Sequence, residues 1–240
     1  MSTHHDIVGA FSEIASHYER VVDGELRRFW GWSYEGFIDN LIRLTPLNEQ
    51  DRVLDVATGT SVIPLKLTAR SQYSGQITGL DITYAMLAQG KKKISARDAH
   101  HQITLVCANA LAMPFRSGLY DVVVCGLATH HLDVGVLLDE IYRLLRPGGR
   151  LTIADVGGST VWRQPMIGSL IRAATFLYFL PKEGAARAKV EAAALSNVLT
   201  PEEWETHLTQ RHFTQVQVEL LPKSHAWAPA PMVMRALKPS

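Results

Sequence analysis

The segment that most constrains this chain is Arg52-Val-Leu-Asp-Val-Ala-Thr-Gly-Thr-Ser61, followed after a helix-length gap by Gly79-Leu-Asp81. An apolar run closing in small residues reads as a buried strand and a tight turn into a helix. The second run reads as a strand that ends on an acid. A doubly wound parallel sheet grips a nucleoside in this way. The turn lets backbone approach the ligand, and the acid at the next strand end accepts both hydroxyls of a ribose. The turn holds one glycine, Gly59, between Ala57 and Ser61. It is not the Gly-x-Gly-x-x-Gly that seats a pyrophosphate on backbone amides. Asp55, in the approach to the turn, would repel a pyrophosphate. It would welcome a ligand with a positive centre and an amino-acid ammonium, and S-adenosylmethionine (SAM) is such a ligand.

The rest of the chain repeats the pattern. Strands are expected at Arg52–Ala57, Gln76–Asp81, Ile103–Ala108, Asp121–Cys125 and Arg150–Asp155, with helical spacing at Ile63–Arg70, Ala85–Ala96 and Val134–Leu145 between them. The alternation predicts an α/β fold, a Rossmann-like parallel sheet with helices on both faces. Residues 1–45 carry helical spacing (Ile7, Phe11, Ile14, Tyr18, then Phe29, Trp30, Phe37, Leu41) and read as an N-terminal helical arm on a core of residues 46–156. Residues 157–199 hold two strongly apolar helical stretches where one crossover helix would suffice. They read as a lid insertion over the active-site face, or else as ordinary core. Residues 200–240 return to the core, with Thr200 capping a helix, Pro201 at its first position, and closing strands at Phe213–Leu221 and Met232–Leu237.

Five segments in order carry a resemblance. Val53–Ser61 is similar to the first motif of class I SAM-dependent methyltransferases and Gly79–Leu87 to the second. Cys107-Ala-Asn-Ala-Leu-Ala-Met-Pro-Phe115 resembles their adenine-contacting segment. Tyr120–Leu132 resembles the fourth strand with its active-site end, and Leu138–Asp155 the following helix, turn and fifth strand. The nearest flavour is the ubiquinone and menaquinone C-methyltransferases and many natural-product methyltransferases. The resemblance implies a seven-stranded sheet with its last strand reversed, SAM as cofactor and S-adenosylhomocysteine as product. It departs from the family at Ser61, where a third glycine is usual and whose hydroxyl is expected to cap the next helix. It departs again at Asn109, where an acid usually takes the adenine amino proton.

These readings single out a cofactor set. Asp81 is read as the ribose acid, Asp55 as facing loop amides or the methionine ammonium, and Ala57, Gly59 and Ser61 as the loop. Asn109 and Ala110 flank the adenine, with Ile82 and Met86 as its walls and Cys125 nearby; Met86 is equally a core residue. Tyr18 either folds over the cofactor or simply packs. His130 and His131 follow the fourth strand at the carboxyl edge where such sheets hold ligands. Either could act as general base, with His131 favoured because the resembling families place a histidine there, or one could pack locally against Asp133. Trp162, Met166, Phe176 and Phe179 are read as the acceptor pocket. His130, His131, Asp133 and Asp155 match no strong metal-ligand spacing, so no metal is expected.

The expected function is transfer of a methyl group to a small, largely apolar acceptor, quinone-like or a natural-product intermediate, at carbon or oxygen. A natural-product cyclase that merely retains SAM would carry the same loop and acid, and so would a pure binding module. A net charge of +1 advertises no nucleic-acid partner. Cys107 and Cys125 both fall in apolar runs and are expected as buried free thiols in a reducing, cytoplasmic compartment. No apolar run marks a signal peptide at the N-terminus. The longest apolar stretch, Leu170–Leu180, is broken by Arg172 and too short to span a membrane. Peripheral membrane contact and a homodimer are both compatible with this reading.

Overall fold

Val53–Val56 (β1) is buried along its whole length, because neighbouring strands flank it and helices cover both faces of the sheet. The computed structural model describes residues 4–225 and 228–240. Its sheet comprises β1, β2 (Ile77–Asp81), β3 (Ile103–Cys107), β4 (Tyr120–Gly126), β5 (Leu145–Asp155), β6 (Thr214–Leu220) and β7 (Met232–Leu237), in the order β3-β2-β1-β4-β5-β7-β6. β1 runs parallel to β2 and β4, whereas β7 is antiparallel to both β5 and β6. The strand order reverses between β1 and β4, which opens a crevice at their carboxyl ends.

Helices α4 (Val62–Thr68), α5 (Tyr84–Ala96), α6 (Val134–Leu144) and α8 (Pro201–Gln210) lie between strands in the chain. One apolar core packs α6 and α8 on the sheet through Leu137, Leu138, Trp204 and Phe213. The other packs α3 (Tyr34–Leu44) and α4 on the opposite face through Phe37, Ile38, Leu41 and Leu67. α8 begins with the expected Thr200 cap, which Glu203 completes as a reciprocal capping box. β5 starts earlier than the sequence suggests. Pro147-Gly148-Gly149, read as a turn before the strand, lies within it beside a register shift opposite Tyr120/Val122.

The N-terminal residues form α1 (His4–Ile14) and α2 (Tyr18–Trp30) ahead of α3. Residues 165–194 form α7 (Pro165–Ala194), broken at Gly184, whose φ of 80° and ψ of 174° interrupt the helix. The two helical stretches read from the sequence are the segments on either side of that break. Glycine alone adopts such angles freely. α7 packs against α1. Its outward side leaves Met166, Leu170 and Leu177 exposed, while Phe179 on the inward side is buried. Cys107 is exposed, contrary to expectation, because it sits at the open end of edge strand β3. Among the described residues, no helix is long and apolar enough to cross a membrane.

Candidate active site

The loop after β1 alternates in hand: Ala57, Gly59 and Ser61 all have positive φ, at 56°, 53° and 64°. This winding lets the loop bond itself in place, with the Thr58 N–H donating to the Leu80 carbonyl and the Ser61 N–H to the Thr58 carbonyl, both at 2.9 Å. Ser61 does not cap α4. Its hydroxyl makes no capping bond and is buried without a hydrogen-bond partner among the described residues. The left-handed conformation directs the side chain toward α5 instead, where a Cβ built on Gly90 would lie 2.3 Å from the Ser61 Oγ. The glycine missing from the loop is thus matched by one on the facing helix.

Two acids frame the loop. Asp81, at the end of β2, accepts the Gly59 N–H at 2.9 Å on one oxygen and the Thr83 N–H at 2.8 Å on the other. The Thr83 side chain and the Ile82 backbone also donate to this carboxylate, which holds it fixed at the cavity wall. Asp55 is fully buried beneath the loop, where its Oδ2 accepts the Thr58 hydroxyl at 2.6 Å. Its Oδ1 has no partner among the described residues. Burial first, then the charge of Asp81, push its carboxyl up to about 8. A buried carboxylate oxygen without a donor is complementary to an ammonium group. Glu19 ties α2 across this region, accepting from the Thr60 hydroxyl at 2.5 Å and pairing with Lys93 of α5.

Above the loop lies a cavity lined by Tyr18, Ala57, Gly59, Asp81, Ile82, Met86, Asn109 and Ala110, with His4, Ile7, Phe11 and His131 among its other walls. Eight residues expected around the cofactor therefore meet in one cavity. Asp81 and the apolar Ile82 and Met86 line this cavity, whereas Asp55 lies beneath the loop and is not part of its wall. Three expectations fail or narrow. Ser61 faces α5, away from the cavity. Cys125 is fully buried in β4 between Val56 and Ile153, and its thiol is pushed far up by burial. The Asn109 oxygen already accepts the Leu111 N–H at 2.9 Å, so only its second lone pair is free for an adenine amino group.

A second cavity adjoins the first, sharing Phe11, Tyr18, Leu127 and His131 as common walls. Trp162 and Phe179 line it, joined by Ile171 and Thr175. Met166 and Phe176 do not. Met166 is 77% exposed. A helix turns 100° per residue, so the face carrying 171, 175 and 179 excludes 166 and 176.

His130 and His131 lie in a 3-10 turn after β4. His130 meets the Asp155 carboxylate through Nδ1 at 2.7 Å, and the other Asp155 oxygen accepts the Thr129 N–H at 2.8 Å and its hydroxyl. Burial alone would lower the His130 pKa, but the Asp155 charge outweighs it and raises it. Asp133 caps α6 through the Val136 N–H and takes no part. His131 stands at the junction of the cavities, its Nε2 3.5 Å from Glu191 Oε1. Burial, reinforced by His130, lowers its pKa and favours the neutral imidazole.

The sequence reading missed Phe11, Glu25, Arg187 and Glu191, all of which line the second cavity. The Arg187–Glu191 pair at i,i+4 within an alanine-rich run was the available signal. His130, His131 and Glu191 place ligand atoms within 4.8 Å of one another. The cation the fold supplies there is the Arg187 guanidinium, 2.9 Å from Glu191.

Sheet order, left-handed loop and strand-end acid define a class of nucleoside-binding α/β enzymes, and comparison with known proteins narrows it. A family model described as a methyltransferase domain matches residues 54–153. The chain is 30% identical over 183 residues to a demethylmenaquinone methyltransferase of Anoxybacillus flavithermus, covering 75% of this chain and 72% of that one. It is 28% identical over 221 residues to the enzyme of the same name from Symbiobacterium thermophilum, covering 88% and 86%. The fold is shared with geranyl diphosphate C-methyltransferase from Streptomyces coelicolor A3(2), solved with Mg2+, geranyl diphosphate and S-adenosyl-L-homocysteine. The TM-score is 0.66 at 15% identity, over 92% of this chain and 84% of that one. The chain belongs to the class I SAM-dependent methyltransferases, and its cofactor is SAM.

Proposed function

We propose that this methyltransferase acts on a small, largely apolar acceptor, quinone-like or a natural-product intermediate, bound in the cavity behind α7 and methylated at carbon or oxygen. The observation that carries this reading is the meeting of two cavities at His131 and Tyr18: one fits SAM, the other is walled by Phe29, Ile171 and Phe179. The names of the curated relatives add weight to a quinone-like acceptor.

Bound SAM supplies a methyl group made electrophilic by its sulfonium. The protein's work is to align, dry and deprotonate. Asp55, Asp81 and the 57–61 loop hold the cofactor. Trp162, Ile171, Thr175 and Phe179 receive the apolar body of the acceptor, and the segment of α7 before Gly184 serves as its lid. His131, neutral and placed at the junction, takes the acceptor's proton. Asp155 fixes the orientation of His130 beside it.

Incubation with methyl-labelled SAM and a panel of apolar quinols and phenols tests the reading. Label should pass to an extractable product with an equal yield of S-adenosylhomocysteine. Conversion of an acceptor with SAM recovered unchanged would instead identify a SAM-retaining cyclase. Absence of any transfer across the panel would overturn the acceptor class.

A further inference from the structure

Arg187 is 3% exposed, yet it lines the acceptor cavity. It stacks 4.5 Å over the Phe11 ring and approaches Phe179. Both of its ion pairs run through one nitrogen: Nη2 lies 2.9 Å from Glu191 and 3.8 Å from Glu25. Nε and Nη1 are buried and make no hydrogen bond among the described residues. A purely structural tie between α7 and α2 would need only Nη2. It would leave the remaining donors stripped of water with nothing in return, an arrangement folded proteins avoid. Glu191, held ionised by the guanidinium, pairs with it through Nη2, so what the cavity is offered is the two unpartnered donors Nε and Nη1. Burial pushes the carboxyl of Glu25 up to about 7.

We propose that Arg187 is the anion-recognition residue of the acceptor cavity, and that the acceptor brings to its free donors an oxyanion, either a carboxylate or an ionised phenol or enol. The inference rests on the reading of this cavity as the acceptor site. It adds that an otherwise apolar molecule must carry an acidic oxygen at the end lying beside α1 and the second half of α7. Phe11 and Phe179 would place its apolar body against the same guanidinium.

Calorimetry on the full chain saturated with S-adenosylhomocysteine tests this with three probes: 2-naphthoate, 4-nitrophenolate at pH 8.5, and neutral naphthalene-2-carboxamide. At least one anion should bind about tenfold or more tighter than the carboxamide. Preference for naphthoate alone marks a carboxylate acceptor, and preference for nitrophenolate alone marks an ionised phenol or enol. In Arg187→Met the preference should collapse, with S-adenosylhomocysteine binding as the check of fold. If that variant does not fold, Arg187→Lys should retain only part of it. Equal affinity for anions and carboxamide in the natural protein, or a preference that survives in Arg187→Met, would overturn the proposal. Thr175→Trp separates the two claims, since filling the cavity should abolish binding of every probe. If the probes bind that variant normally, the cavity reading itself fails. If they are blocked but show no anion preference in the natural protein, only the role of Arg187 falls.

Discussion

The hydroxyl oxygen of Ser61 fills the space that a side chain on Gly90 would need, a Cβ there lying 2.3 Å from it and 3.3 Å from the Thr60 carbonyl carbon. The cofactor loop and α5 therefore share one volume. Gly90→Ala overpacks it and should cost about 1–3 kcal/mol of stability. Ser61→Gly removes the clashing oxygen and relieves a left-handed serine. The double variant should therefore recover most of the loss. Urea unfolding of the four proteins gives the coupling directly, and additive losses would show that the two residues do not compete for space.

Asp55 makes the ligand-free protein sensitive to pH. Its folded pKa of about 8 lies above the ordinary 3.8 because it is buried. Between those values the unfolded chain has released this proton while the folded chain keeps it. Stability from this group is thus complete below the lower value and is lost as pH rises to the upper one. An ammonium beside Oδ1 reverses the preference, so binding S-adenosylhomocysteine at pH 7 should release a proton. Calorimetry in buffers of different ionisation enthalpy measures that release. Asp55→Asn should abolish it and flatten the stability profile, and unchanged proton release in the variant would remove Asp55 from the ammonium site.

The inward face of α7 sets a second expectation. Phe179→Ala removes a buried ring from the cavity wall and should raise the acceptor KM about tenfold or more with SAM affinity intact. Met166→Ala, on the exposed side, should change neither. Steady-state kinetics on both variants decide it, and equal effects would mean that α7 does not line the acceptor site.

His131→Gln keeps bulk and hydrogen bonding but cannot take a proton. If His131 is the base, kcat should fall by roughly 10²–10⁴. The natural enzyme should show an acidic limb below pH 6.5, because burial lowers the His131 pKa. That limb should be missing in the variant. Near-normal kcat across pH 6–9 would leave alignment and an already ionised acceptor to do the work.

Sequence periodicity made the sheet legible because each strand is a local apolar run, and the loop legible because one glycine and two acids stand in fixed register. What escaped is what only tertiary placement decides. The hand of Ser61 aims its side chain at α5, not along α4. Cys107 looks like a core residue until β3 proves to be an edge. Phe176 and Phe179 are equivalent in a list of apolar residues, but Phe176 stands roughly 100° away from the middle of the face that carries 171, 175 and 179, and only Phe179 reaches the cavity. The charged neighbours of His131 and His130 lie in α7, α2 and β5, far along the chain, so the i,i+4 spacing of Arg187 and Glu191 marks a pair without saying what it faces.

Gly184 bends α7 so that residues from both of its halves face one cavity. The non-helical angles there turn the chain between Phe179 on one side and Arg187 and Glu191 on the other, and the bend brings the guanidinium back toward the Phe179 ring. The half before it carries Phe179, and the half after it packs on α1 through Ala186 and Val190 and carries Arg187 and Glu191. A Cβ at this joint would meet open space and no clash, so what glycine supplies here is solely its backbone angles, and any other residue would strain the bend that sets the two halves of α7 in their different directions.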